Sequence, residues 1–344
     1  MSIEGCVDAA DRITLLDGEV HVDIGFIRDN AYLRKNDALI LGGSLIEGIG
    51  NRNSDVDAYV LTKSLRKVHE VEFDSHFRIF SPRQKILKKD NADEEVYLIH
   101  TVLPGHKIKV DIEFKQWDEA FAIFDQINSL FTYATNTLIS LTAPFDRRDL
   151  AFAHRMHNSI VASGHDQIGK MFDRLSRLAL QYLMFRWKVA DYSALLDLQG
   201  AWIQGDLVRC ADLARENMVT QFHAHTHLCG NTNYNRKWIL TYALKHGVDP
   251  VLYQRYVALL MSGPGSDKAE IRRYIHATLD FVDLLFEANS RELARQPLVP
   301  SGQDAIERID AYWAEDAGDY SHDELVYAKK SYGEATAPTR AWFP

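Results

Sequence analysis

The stretch from Leu39 to Val60 restricts this chain more than any other. It reads Leu39-Ile40-Leu41-Gly42-Gly43-Ser44, then Leu45-Ile46-Glu47, and later Asn51-Arg52-Asn53-Ser54-Asp55-Val56-Asp57-Ala58-Tyr59-Val60. Ala38 to Leu41 is short and apolar, as a buried strand is. Gly42 and Gly43 accept backbone angles that other residues avoid, and they let a ligand approach the main chain. Ser44 is a good helix N-cap, so Leu45-Ile46-Glu47 is expected to open a short helix. Free N–H groups at a helix start seat phosphate. Asn51 to Ser54 predicts a turn, and the chain from Asp55 predicts a strand. Residues two apart in a strand share a face, so Asp55 and Asp57 project together while Val56 points to the core. Two such charges repel unless a cation or a proton intervenes. Magnesium suits the pair, because it takes carboxylates together with substrate phosphates.

A third carboxylate follows downstream. Glu95 to Leu103 predicts a strand, Pro104-Gly105-His106 a turn, and Lys107 to Phe114 the return strand of a hairpin. The alternation points Ile108, Val110, Ile112 and Phe114 inward. It leaves Lys107, Lys109, Asp111 and Glu113 on the other face. Placed beside the Asp55/Asp57 strand, one of these acids completes a three-carboxylate site able to hold two divalent ions. Asp111 and Glu113 compete for that place, against the alternative that both are ordinary residues of a solvated sheet face.

Gly43-Ser44, then Asp55-x-Asp57, then Val110-Asp111-Ile112 resembles the DNA polymerase β-like nucleotidyltransferase superfamily. The spacing looks most like its aminoglycoside-type small-molecule branch and its minimal branch. The motif runs from Leu41 to Glu113, in about the first third of the chain. The resemblance implies an α+β fold, with a small mixed sheet, helices on one face, and an all-helical domain after it. It implies transfer of a nucleoside monophosphate from Mg-NTP, with ATP the expected nucleotide, to an acceptor hydroxyl. Gly43 and Ser44 would bind the triphosphate, while Asp55, Asp57 and Asp111 would hold two Mg²⁺ ions. Asp111 or Glu113 would be the general base. Ala58-Tyr59 departs from the plain aliphatic pair usual after the second aspartate.

The rest of the chain limits the partners. Net charge is −9 over 344 residues, with no basic field for long nucleic acid. A small-molecule or protein acceptor fits better, and a cationic acceptor suits the acidic balance. Cys6, Cys210 and Cys229 are few and widely spaced, which favours a reducing compartment. There is no basic-then-apolar leader and no apolar run of membrane-spanning length, so a cytoplasmic protein is expected. Three domains are expected: a nucleotidyltransferase domain over 1–145, a helical acceptor-binding domain over 146–310, and a loosely held tail over 311–344.

Along the chain, residues 1–35 predict helix, with an entry helix from about His21 to Leu33. Val71 to Phe80 predicts a strand, and Asp118 to Thr142 one long helix ended by Pro144. Helices are then expected over Gln167–Val189, Tyr192–Ile203, Gly205–Thr220 and Lys237–His246. Asp267 with Glu270 forms a capping box for another helix, reaching about Glu287. His223, His225 and His227 are either a transition-metal site or a polar surface or pocket-lining segment. Lys237 follows the polar turn Asn231–Asn235 and is a candidate for the triphosphate. Its alternative is a plain surface lysine. Lys170 and Arg174 are weaker candidates, and Arg52 is either a phosphate contact or solvated. Two other activities stay open within the resemblance: synthesis of a nucleotide second messenger, and an antitoxin-like protein that nucleotidylates protein.

Overall fold

The computed structural model describes residues 12–105, 107–137, 145–189, 191–315 and 321–344. The chain divides into two compact units, Met1–Asn128 with Asp146–Ser176, and Ser129–Phe145 with Arg177–Pro344. The first unit therefore takes back a segment beyond the break expected at Pro144. Residues 138–144, where that break falls, lie outside the described residues, as do Cys6 and His106.

The first unit opens with an antiparallel hairpin of β1 (Arg12–Leu15) and β2 (Val20–Asp23), followed by the short α1 (Ile24–Asn30). This corrects the expectation of helix throughout the N-terminal region. Ile13, Leu15, Val20 and Val22 are buried while their neighbours face out, which is a period of two. The Asp23 side chain accepts from Gly25 N at 2.8 Å and starts α1.

The central sheet has six strands. They are β3 (Ala38–Gly42), β4 (Val56–Thr62), β6 (Arg78–Phe80), β8 (Leu98–Val102), β9 (Lys109–Gln116) and β10 (Ile160–Ser163), in the order β10-β3-β4-β9-β8-β6. Among the described strands of this sheet, β4 and β9 run parallel and the other neighbours pair antiparallel. A separate two-stranded ladder pairs β5 (Arg66–Lys67) with β7 (Glu95–Val96). The hairpin expected over Glu95–Phe114 is present as β8 and β9. The strand expected over Val71–Phe80 shrinks to β6, because Glu72 N–H donates to the Tyr32 hydroxyl at 3.0 Å and a 3-10 turn spans Phe73–Ser75.

One face of the sheet packs into a single core. Leu39, Leu41, Val56, Ala58, Val60, Val110, Ile112 and Phe114 meet Ile24 and Ile27 of α1 there. The opposite face carries Asp57, Tyr59, Asp111 and Glu113, under α2 (Trp117–Asn136) and α3 (Arg147–His157). Phe152 of α3 meets Tyr59 edge-on at 5.3 Å and stacks on Phe124 of α2 at 5.8 Å. Burying such aromatic pairs fixes α3 on the sheet. The expected α+β architecture, a mixed sheet followed by a helical region, is what the structure shows, while α1 packs on the face opposite α2 and α3, so helices are not confined to one face.

The helix expected over Gln167–Val189 is two: α4 (His165–Phe172) and α5 (Arg177–Lys188). Asn128 Nδ2 donates to Arg174 O at 2.7 Å and takes a carbonyl that a continuous helix would use. The second unit continues with α6 (Tyr192–Ile203), α7 (Leu207–Leu228), α8 (Ile239–Lys245), α9 (Pro250–Ser262), α10 (Lys268–Leu293), α11 (Gly302–Glu315) and α12 (His322–Ser331). The Asp267/Glu270 capping box is formed at the start of α10. The C-terminal segment is not a loose tail. It forms α12 and a 3-10 turn, with Tyr327, Tyr332 and Phe343 buried. Thr339 N and Oγ1 both donate to Asp283, at 2.8 and 2.6 Å. No helix among the described residues is long and apolar enough to cross a membrane.

Candidate active site

The turn after β3 begins with Gly43 at φ +94°, an angle that favours glycine. A Cβ built there would run into the Asp57 carboxylate, so the turn and Asp57 sit against each other. No helix opens at Ser44, which corrects the expectation of a Ser44 N-cap. The turn closes on itself instead: Ile49 N and Gly50 N both donate to Ser44 O, at 3.0 and 2.7 Å. Gly50 lies so near that a Cβ there would be 2.8 Å from Leu45 N. Among the described residues, no protein acceptor takes the N–H groups of Ser44, Leu45 or Ile46. Glu47, in the same turn, is buried, and its Oε1 lies 3.1 Å from His154 Nε2 on α3.

Asp55 stands just before β4, and Asp57 lies one residue into it. The register sets Asp57 directly beside Asp111 on β9, with Gly42 on its other side. Glu113 falls opposite Tyr59. Thus Asp57, Asp111 and Glu113 share the helix-covered face, whereas a solvated face was the alternative. Burial pushes the Asp57 carboxyl up to about 7, against the pull of Arg155, and the charges of Asp55, Asp111 and Glu113 push the same way as burial. Burial also raises Asp111, with His100 opposing and Asp55 adding to the rise. The Asp111 Oδ1 atom is buried and makes no hydrogen bond. Its nearest basic neighbour, His100 Nδ1, is 3.6 Å away, beyond hydrogen-bond range. Glu113 differs: burial raises it, Lys115 opposes, and its carboxylate accepts from the Tyr97 hydroxyl.

Arg155 on α3 reaches the same cluster and carries no signal in the motif. Its Nη2 is 3.1 Å from Asp57 Oδ2, and its Nη1 donates to the Tyr59 hydroxyl at 2.5 Å. The guanidinium also lies 5.8 Å from the centre of the Tyr59 ring. Burial works against its charge, but Tyr59 and Asp57 overcome that and raise its affinity for the proton. The unusual Tyr59 was the sequence hint: a phenol beside the second aspartate wants a polar partner. Among the described residues, no group of three or more His, Cys, Asp or Glu side chains is gathered closely enough to hold a metal ion. The three aspartates feel one another without converging, and Arg155 draws Asp57 toward α3.

Lys237 lies in the second unit, exposed, with its Nζ 5.2 Å from the Trp238 ring centre. The turn before it is a chain of Asn side chains. Asn231 accepts from Asn233 N, Asn233 from Asn235 N, and Asn235 from Lys237 N, at 2.7, 2.9 and 3.1 Å. His223, His225 and His227 lie inside α7 and are buried, not on the surface. Their rings bond Asn233 O, Asn289 Oδ1 and Asn231 O at 3.1, 2.9 and 2.7 Å, which ties α7 to its surroundings. Arg52 pairs with Glu19 at the surface, and Arg174 with Asp125 at 3.7 Å. Cys210 and Cys229 are free thiols.

No family model matches the chain, and no curated protein matches it. Among solved structures it is similar to a nucleotidyltransferase-like protein from Exiguobacterium sibiricum. The identity is 12%, the match covers 88% of this chain and 82% of that one, and the TM-score is 0.40.

Proposed function

We propose that the chain is a nucleotidyltransferase, moving a nucleoside monophosphate from Mg-NTP to a hydroxyl of a small-molecule acceptor and releasing pyrophosphate. The observation that carries this reading is the pairing of Asp57 with Asp111 on adjacent parallel strands, against a glycine turn with unclaimed N–H groups. Inward-facing like charges are costly to keep for structure alone. The donors are all-oxygen and anionic, the kind magnesium takes together with substrate phosphates, and the buried Asp111 Oδ1 makes no hydrogen bond; the three aspartates do not by themselves gather closely enough to enclose an ion. Asp55, Asp57 and Asp111 are the residues that would hold it. When bound, the ion supplies charge neutralisation on the phosphates and a more acidic attacking hydroxyl.

The protein groups divide the remaining work. The N–H groups of Ser44, Leu45 and Ile46 hold phosphate oxygens and fix the α-phosphorus in line for attack. The acceptor oxygen bonds to that phosphorus as the bond to the pyrophosphate oxygen breaks. Asp111, whose affinity for protons is raised by burial, takes the hydroxyl proton. Glu113 is already engaged by Tyr97, so Asp111 is the better base. The acidic balance of the chain favours a small, neutral or cationic acceptor over long nucleic acid.

Product analysis tests the reading. The full chain is incubated with Mg²⁺ and each of the four NTPs, with and without a panel of hydroxyl acceptors including aminoglycosides. A nucleotidylated acceptor is the expected product. A linear or cyclic oligonucleotide formed from NTPs alone identifies a second-messenger synthase, and label on the polypeptide identifies protein modification. Either of those products overturns the small-acceptor assignment.

A further inference from the structure

The second unit holds an open cleft of about 510 Å³, lined by α7, α10 and the loop that joins α9 to α10. Small-molecule sites commonly enclose about 300–1,000 Å³. Val208, Asp212 and Arg215 fall at i, i+4 and i+7 on α7, so one face of that helix makes a wall. Pro264 and Tyr274 belong to the lining as well. Tyr274 is only 6% exposed, and its hydroxyl is buried and makes no hydrogen bond. Burial raises that phenol, and the charge opposing the rise is Arg215. The unpartnered hydroxyl and the guanidinium therefore share one end of the cleft. An anionic group placed there satisfies both. Among the described residues, Arg215 and Asp212 are in no ion pair, although they stand three apart on α7. Glu216, by contrast, is taken by Arg236 at 3.0 and 2.8 Å. Asp206 and Arg209 offset each other at the start of α7, where Cys210 feels both charges. The Asp206 carboxylate also caps the helix, accepting from Arg209 N at 3.1 Å.

We propose that this cleft binds a small zwitterion, a dipeptide with free termini, its carboxylate at Arg215 and Tyr274 and its ammonium at Asp212. An anion alone meets Asp212 with like charge, and an amine alone meets Arg215 with like charge. A ligand of both signs answers both residues and excludes ligands of one sign. Side chains three apart on a helix stand about 5–6 Å apart at Cβ, and two extended residues span about 7 Å, so the termini of a dipeptide match the pair. Each terminus gains a charge-assisted hydrogen bond. Val208, Ala211 and Pro264 suit apolar side chains on the ligand. The cleft lies wholly in the second unit, and binding there needs neither Mg²⁺ nor nucleotide.

Calorimetric titration of the full chain with alanyl-leucine tests it, beside N-acetyl-alanyl-leucine and alanyl-leucine amide. Saturable binding of the free dipeptide is expected, weakened about tenfold or more by either block, as the loss of a hydrogen bond to a charged group implies. Arg215 and Asp212 are exposed, so Arg215→Met and Asp212→Asn keep the fold. Asp212→Asn is expected to bind the free and acetylated forms alike, and Arg215→Met the acid and the amide alike. Tyr274→Phe keeps the ring and is expected to weaken the acid more than the amide. No saturable binding of the free dipeptide by the parent chain overturns the proposal. Blocked forms that bind the parent as tightly as the free dipeptide overturn it too, as do variants that discriminate among the three ligands as the parent does.

Discussion

At the residue scale, Asp57 combines opposing demands. It is largely buried, paired with Arg155, and still raised to about 7 by burial and by neighbouring acids. A raised carboxyl means that the native state keeps a proton the unfolded chain has already lost. Between the ordinary value of 3.8 and about 7, parent stability therefore falls as pH rises, and it levels off above that window. Asp57→Asn removes this dependence, because an amide of the same shape carries no titrating proton. The expected outcome is a melting temperature of the variant that gains on the parent's between pH 4 and pH 8, measured by calorimetry at fixed ionic strength. A constant difference across that range contradicts the placement of Asp57. Asp55, Asp57 and Asp111 were legible because period-two alternation and glycine punctuation are local properties. Arg155 was not, because its meeting with Asp57 depends on how α3 lies on the sheet. Tyr59 was the one local trace of it.

At the element scale, the glycine turn after β3 is held to α3 by Glu47 and His154, both buried. Glu47→Ala leaves the buried imidazole without this partner and is expected to cost about 1–3 kcal/mol in chemical denaturation. A change within a few tenths of a kcal/mol contradicts that anchoring role. The elements that were misread share a cause. The β1–β2 hairpin has strands of four residues each, too short to outweigh the helical tendency of their surroundings. The α4–α5 break follows from a side chain of α2 taking a helical carbonyl, a tertiary contact with no local signature. The C-terminal segment looked loose because its aromatics are scattered, yet Tyr327, Tyr332 and Phe343 each find a buried site. By contrast, α6 and the capped start of α10 rest on near-neighbour interactions, and both appear where the sequence places them.

At the scale of the whole molecule, the proposed choice of a small acceptor rests on the acidic balance. With a net charge of −9, the protein has little to release counterions from a polyphosphate backbone. Fluorescence polarisation with long single-stranded RNA and with duplex DNA, at about 0.15 M salt, is expected to show no saturable binding. Tight, salt-dependent binding contradicts the small-acceptor assignment and favours a polymerase-like role. The second unit is helical throughout its described residues, and its α7 histidines serve packing, since each ring bonds a backbone or amide oxygen. The chemistry proposed for the molecule therefore rests on the first unit and its three aspartates.

Pyrophosphate release tests that claim most directly. The parent chain, Asp55→Asn and Asp57→Asn, each verified as folded, are compared with Mg²⁺, NTP and acceptor. Pyrophosphate release by the parent and a loss of about 100-fold or more in both variants is the predicted result. Variants that release pyrophosphate as fast as the parent contradict the assignment of these carboxylates to nucleotidyl transfer.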